Sequence, residues 1–367
     1  MLNSAALNAA LEDVHRAGVP GLFAEVRDGG DVWRGAAGVA DTETGRPATA
    51  DLRHRVGSIT KTFTAAAVLR QAENGLLDLD RPARHYLPEL VPGDAITVRM
   101  LLDHTSGLAE YLPYAYPSLR AFPDLANTSP QSLDDHRFTR FDPAELIRLG
   151  VSAPRAGRPG GTPGWYSNTN YLLLCALLEH VTGTAAEKVI TRDVIERAGL
   201  RHTELPCGTH VDGPHSRLYE SWFGMIDPPR DYSVYDMSWV GPSASLISTV
   251  ADLNRFYARL LAGEIVSRAS LAQMQRTVPV VSQEGKVIPY GLGLHPTEAP
   301  GRPTFWGHGG TVWGGGALAM TRADGGRQLA LALNLQRWNA LDASGRPQPH
   351  PIDAALAAFQ RIALYGE

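Results

Sequence analysis

Apolar residues recur every three or four positions at the start of the chain. The first fourteen residues, Met1 to Val14, read as an amphipathic helix. Two strands follow, Gly21 to Arg27 and Val32 to Ala40, separated by the hairpin sequence Asp28-Gly29-Gly30-Asp31. Apolar helical patterns then return at Ser58 to Leu69, Asn170 to Val181 and Ala251 to Leu261. They stop at Asn74-Gly75, Thr182-Gly183 and Ala262-Gly263 respectively. A short helix at Ile96 to Leu102 has Thr97 as its cap. From about residue 288 the pattern becomes that of strands: Tyr290 to Leu294, Thr304 to His308, Ala317 to Thr321 and Gln328 to Leu333. Asp324-Gly325-Gly326 turns between the last two, and Ile352 to Leu364 closes the chain as a helix.

Strands at both ends with helices between them predict one antiparallel sheet built from both termini. The expected division is an α/β unit of residues 1–57 and 286–367 and a helical unit of residues 58–285. Residues 109–142 are rich in Tyr, Pro, Ser and Asp with little periodicity. They read as a long surface excursion that reaches over the site and sets specificity.

Composition narrows the class. At 367 residues, 44% hydrophobic and 20% charged, the chain is globular and long enough for a large core. A net charge of −4 and the lack of a long basic run argue against nucleic acid. No apolar run approaches a membrane span, and the N-terminus lacks the basic and apolar regions of a signal peptide. Two cysteines, Cys175 and Cys207, are too few for a disulfide framework. The expectation is a cytoplasmic protein with no membrane partner and no cofactor. Cys207, His210, Asp212 and His215 share a polar loop, but their spacing matches no standard zinc site, and a surface loop is expected there.

Candidate chemistry begins at Ser58-Ile59-Thr60-Lys61. A serine at a first helical turn meets free N–H groups and the positive end of the helix dipole. A lysine three residues on lies on the same face. Serine needs a base to take its proton, and lysine serves as one only when its pKa is depressed. Only three lysines, Lys61, Lys188 and Lys286, stand among 34 basic residues, yet one of them is here. The S-x-x-K pattern occurs once, although a capping serine and a surface lysine would also produce it.

Two more segments carry suitable groups. In Pro163-Gly164-Trp165-Tyr166-Ser167-Asn168, Tyr166 and Asn168 stand two apart in a loop before a helix. Tyrosine transfers protons if nearby cations lower its pKa, and asparagine donates to a carbonyl. In Gly307-His308-Gly309-Gly310-Thr311, glycines after a strand let a ligand approach the backbone. No G-K-[ST] follows, so this is not a phosphate loop.

In this order, S-x-x-K, Y-x-N and a basic residue followed by glycine resemble the serine β-lactamase and penicillin-binding protein superfamily. Tyr166-Ser167-Asn168 looks like the class C β-lactamase pattern. His308-Gly309-Gly310 looks like the histidine form found in D-alanyl-D-alanine carboxypeptidases and related esterases and aminopeptidases. Arg55 to Ser58, His104 to Leu108, Trp239 before Ser243-Ala244, and Tyr290 to Leu294 extend the resemblance over nearly the whole chain. It implies an α+β fold of the β-lactamase/transpeptidase type, with an antiparallel sheet flanked by helices, an all-helical domain and the site between them.

The resemblance also implies roles. Ser58 forms an acyl-enzyme, Lys61 and Tyr166 share the proton transfers, and His308 borders the site and supports Tyr166. Asn168 holds the acyl side chain's amide, Trp239 lines the pocket, and Gly310 and Thr311 flank the substrate. The N–H groups of Ser58 and Thr311 form the oxyanion hole.

Three departures shape the expected activity. His295 stands where the carboxypeptidases have a carboxylate-binding arginine. Gly309 replaces a hydroxyl residue, and the third motif begins with histidine instead of the lysine usual in β-lactamases. The first expectation is therefore transfer of an acyl group from a small ester or amide to water or an amine, as an esterase, amidase or biosynthetic transacylase of antibiotic assembly. A D-alanyl-D-alanine carboxypeptidase, penicillin-binding protein or β-lactamase is the alternative, and a non-catalytic binding relative the third.

Overall fold

The computed structural model describes residues 1–119, 129–206 and 208–367. A seven-stranded antiparallel sheet is built from both ends of the chain. From one edge its order is His295–Thr297, Phe305–Val312, Gly315–Arg322, Arg327–Leu333, Gly21–Asp28, Asp31–Asp41 and Arg46–Pro47. The first and last long helices, Ser4–Arg16 and Pro351–Tyr365, cover one face. Leu7, Ala10, Leu11 and Val14 meet Leu22, Val26, Leu331 and Phe359 there, so the first helix buries one apolar face, as an amphipathic helix does.

The other face carries the larger core. The helix Val250–Leu261 packs on the sheet, and Asn254 Nδ2 donates to the buried Glu25 carboxylate at 3.1 Å. Arg27 and Arg34 donate to the same carboxylate, each at 2.7 Å. The helix Thr60–Glu73 lies deeper and buries eleven of its fourteen residues. Phe63 stacks on Phe256 at 3.7 Å between ring centroids, which locks the two helices together. The helix Asn168–Thr182 packs beside it and ends at Gly183, whose φ of +63° suits glycine. Thr97 caps Val98–Leu102 as expected, accepting from Met100 N.

Three expectations change. Tyr290 to Leu294 is not a strand: pairing ends at Tyr290, and Gly291 N donates to Leu294 O in a turn. Gly293 has a φ of +77° and its carbonyl accepts from Thr62 Oγ1 at 2.6 Å, so this turn packs against the serine helix. The strand Val278–Val281 begins ahead of the expected boundary at 286 and pairs across it with Val287–Tyr290, while Gly164–Trp165 adds a parallel strand.

Residues 109–119 are not a surface excursion, whereas most of 129–142 is exposed or half-buried at the surface. Tyr111 and Tyr116 are buried, and Tyr116 meets Trp239 and Trp313 edge-on at 6.1 and 5.8 Å. Clustered aromatic rings made this stretch cohesive despite its lack of period. The tip at 120–128 lies outside the described residues. Among the described residues, no helix is long and apolar enough to cross a membrane.

Phe63 joins the serine helix to the helix on the sheet. Phe63→Ala is expected to lower unfolding free energy by about 3–5 kcal/mol in a urea melt. A change below about 1 kcal/mol would show that the stack does not hold these layers together.

Candidate active site

Ser58 sits in a single tight turn, Gly57–Ile59, that runs straight into the helix Thr60–Glu73. Its position is fixed from both sides. Val56 N donates to Leu246 O, and Leu246 N donates to Thr60 Oγ1, which itself donates to Gly57 O at 2.6 Å. Gly57 has a φ of +56°, and a β-carbon there would lie 2.6 Å from Thr311 N. A β-carbon on Gly310 would lie 1.8 Å from Val56 O and 2.9 Å from Ser58 N. Glycine at both positions lets the nucleophile turn and the strand Phe305–Val312 touch. The N–H groups of Ser58 and Thr311 thus lie on apposed segments. The glycine-rich segment continues this strand to Val312, and the turn falls at Trp313-Gly314.

Lys61 is wholly buried. Its ammonium donates to Ser58 Oγ at 3.0 Å and to Asn168 Oδ1 at 2.7 Å, and it lies 5.2 Å from the Tyr166 ring centre. Burial presses its pKa down to about 7, with the Glu110 carboxylate opposing the shift. Near neutral pH much of Lys61 is therefore a free amine, and the same 3.0 Å contact lets it accept the serine proton. Tyr166 behaves in the opposite way. Burial pushes its phenol up, against the hydrogen bond with Ser58, so it stays protonated. The condition under which a tyrosine pKa falls is not met here, because removal from water dominates.

Asn168 begins the helix after Ser167 and is spanned by two charged groups. Its Oδ1 accepts from Lys61, while its Nδ2 donates to Glu110 Oε2 at 2.9 Å. Glu110 Oε2 also accepts from Asn168 N at 2.8 Å. Burial raises the Glu110 pKa, opposed by the Asn168 and Leu112 N–H groups and by Lys61. Lys61 donates to the amide oxygen and the Glu110 carboxylate accepts from the amide nitrogen, so these neighbours set the amide's orientation. Glu110 completes a chain Ser58–Lys61–Asn168–Glu110.

His308 borders the same cavity but does not hold Tyr166. Its Nε2 pairs with Tyr290 Oη at 2.9 Å and its Nδ1 with Gly309 O, while its ring centre is 6.4 Å from that of Tyr166. The group beneath Tyr166 is His104, 4.2 Å between ring centres. His104 Nδ1 accepts from Ser167 N at 3.2 Å, and burial keeps the ring neutral. His295 lies 5.3 Å from His308, and burial lowers its pKa too.

Three cavities meet here. One of about 360 Å³ is bordered by Ser58, Tyr166, Tyr290, His295 and His308. A small one of about 30 Å³ is bordered by Ser58, Asn168, Trp239, Trp313 and Arg337. A third of about 880 Å³ is bordered by Glu110, Tyr114, Trp165 and Tyr166. Gln283, at the tip of the Val278–Tyr290 hairpin, borders all three.

Sequence reasoning missed Glu110, Gln283 and Arg337. Glu110 lies just after the His104–Leu108 motif, which was its available signal; the other two carry none. Among the described residues no group of His, Cys, Asp and Glu is placed to hold a metal, and Cys207 lies outside them.

A buried lysine on a helix-start serine, a neutral tyrosine opposite and apposed backbone N–H groups define the class of S-x-x-K serine enzymes. The chain belongs to the Beta-lactamase family, whose sequence profile matches residues 7–351. Esterase EstB of Burkholderia gladioli is 34% identical over 232 residues, covering 62% of this chain and 55% of the relative. D-aminopeptidase of Cereibacter sphaeroides is 29% identical over 327 residues, covering 86% and 56%. The chain thus spans little more than half the length of these two relatives. Among solved structures, a D-stereospecific amidohydrolase from Streptomyces sp. superposes with a TM-score of 0.81 at 33% identity, covering 100% of this chain and 99% of that one.

Three outcomes follow from this geometry. The rate constant kcat/KM for an activated ester is expected to rise tenfold per pH unit below about 7 and level off above it, as Lys61 loses its proton. Lys61→Arg should cost about 10²–10⁴-fold, because arginine cannot be the base. A flat profile would remove Lys61 from that role. Gly310→Ala forces the strand away from Ser58 N and is expected to slow acylation roughly a hundredfold. Unchanged acylation would exclude that close approach as a requirement.

Proposed function

We propose that the chain hydrolyses small amides and esters through an acyl-Ser58 intermediate. The observation that carries this reading is the 3.0 Å contact between Ser58 Oγ and a buried lysine whose pKa is brought to about 7. Ser58 Oγ bonds to the acyl carbon while its proton passes to Lys61 Nζ. The carbonyl oxygen takes up negative charge against the N–H groups of Ser58 and Thr311. The C–N or C–O bond then breaks, and the leaving atom receives the proton from Lys61 through the Tyr166 hydroxyl. Water repeats the sequence in reverse, yielding the free acid and restoring Ser58. Trp239 walls the acyl side of the nucleophile.

The amide preference rests on the relatives. The amidohydrolase and the D-aminopeptidase are both named for amide cleavage, and the amidohydrolase is similar over its full length. A carboxypeptidase acting on a free terminal carboxylate has less support: His295 is held neutral by burial and offers no fixed charge. Transfer to an amine is the second reading. The cavity of about 880 Å³ beside Tyr166, with Glu110 in its wall, has room for an amine acceptor and a carboxylate to meet it.

Intact-protein mass after incubation with a fluorophosphonate, an activated ester and a β-lactam tests the mechanism. One adduct on the wild type and none on Ser58→Ala is expected. An equal adduct on both, or none on either, would overturn the acyl-serine reading. Adding amines to the ester reaction then separates hydrolysis from transfer by product mass.

A further inference from the structure

Arg337 presents a charged group with no partner at the wall of the small cavity beside Ser58. Among the described residues its guanidinium donates no hydrogen bond and lies in no ion pair, and its Nε is buried without a partner. A buried polar group of this kind normally costs stability unless something meets it. Its backbone adopts a φ of +56°, an uncommon value for a residue with a side chain, and Phe223 N donates to its carbonyl at 2.6 Å.

Aromatic rings fix the guanidinium's position. It lies 5.3 Å from the Trp222 ring centre, 4.9 Å from Phe223 and 5.4 Å from Trp313. Trp313 in turn stacks on Trp239 at 4.7 Å, and both border the cavity. The nearest buried acid does not neutralise this cation by contact. Glu220 accepts from Trp222 N at 2.9 Å and Gly314 N at 2.8 Å, and burial raises its pKa to about 7. It is therefore only partly ionised at neutral pH.

The rest of the wall is mixed: Leu112, Leu119, Val240, Ala244 and Val312 are apolar, and Asn168, Gln283 and Thr311 are neutral and polar, so Arg337 is the one charged side chain that borders it among the described residues. At about 30 Å³ the cavity holds roughly two or three water-sized groups. That suits the carboxylate end of a short aliphatic arm and is too small for a ring. The arrangement also bears on the missing arginine of the sequence comparison. His295 belongs to the larger cavity and carries no fixed charge, whereas Arg337 brings one to the smaller cavity, which also reaches Ser58.

We propose that Arg337 is a specificity-determining residue, and that the acyl group transferred to Ser58 carries a carboxylate on a short aliphatic chain. The acyl donor is then a half-amide or half-ester of a small dicarboxylic acid. Two hydrogen bonds from the planar guanidinium would meet the carboxylate, with the tryptophans shielding them from water. This inference rests on the acyl-serine reading above.

Two boronic acids of equal length test it, since each forms a tetrahedral adduct on a nucleophilic serine. Inhibition constants of carboxypropylboronic acid and butylboronic acid are measured against turnover of p-nitrophenyl acetate. The wild type is expected to bind the carboxylated compound at least roughly tenfold more tightly. Arg337→Leu should abolish this preference and Arg337→Lys should retain part of it. Equal inhibition of the wild type by the two compounds, or a preference that survives in Arg337→Leu, would overturn the proposal. Should Arg337→Leu not fold, the wild-type ratio and its reduction in Arg337→Lys decide. No ester turnover and no inhibition by either compound would sink the acyl-serine reading along with it, whereas inhibition by butylboronic acid without a gain from the carboxylate removes Arg337 alone.

Discussion

The contact between Lys61 and Ser58 is the constraint on which the rest depends. A lysine with no exposed surface pays for its burial in pKa, and that loss of charge is what makes it useful as a base. The surroundings keep the balance near neutrality. Asn168 Oδ1 and Ser58 Oγ accept from the ammonium, and Glu110 lies one residue beyond. Too strong a carboxylate contact would hold the proton permanently. The amide of Asn168 separates the two charges and lets them interact without forming a direct ion pair.

The fold exists around this arrangement in a specific mechanical sense. The serine helix is buried on nearly all sides, so its start is held rigidly. The sheet approaches Ser58 through the edge region Phe305–Val312, where glycine permits backbone to touch backbone. The helix Asn168–Thr182 brings Tyr166 and Asn168 from a third direction, and His104 supports the tyrosine from below. Each catalytic candidate thus stands at the end or start of a packed element, which suits a site that must hold its geometry during proton transfer.

Around the nucleophile the three cavities differ in character. The one with His295 and His308 is bordered by neutral rings, the one with Arg337 is small and cationic, and the one with Glu110 is large and acidic at its inner end. Ser58 itself borders the first two of these cavities, so the serine faces histidine rings on one side and a guanidinium on the other. The hairpin tip at Gln283 borders all three cavities.

Much of this was legible in the linear chain. Ser58 and Lys61 were readable because helical spacing alone puts them on one face, and Tyr166, Asn168 and the glycine-rich segment because each stands at a local punctuation. The long helices and most sheet strands followed from periodicity, since burial on one side leaves a repeating trace. What the chain could not reveal were relations between distant segments. Tyr290 to Leu294 carries a strand-like pattern, yet it turns because the serine helix packs against Gly293. His308 pairs with Tyr290 and not with Tyr166, and His104 supports that tyrosine from 62 positions away in sequence. Arg337 and Glu110 are ordinary charged residues until folding removes water from them. Local propensity is written in neighbouring residues, whereas desolvation and charge pairing depend on which surfaces meet, and only the tertiary structure decides that.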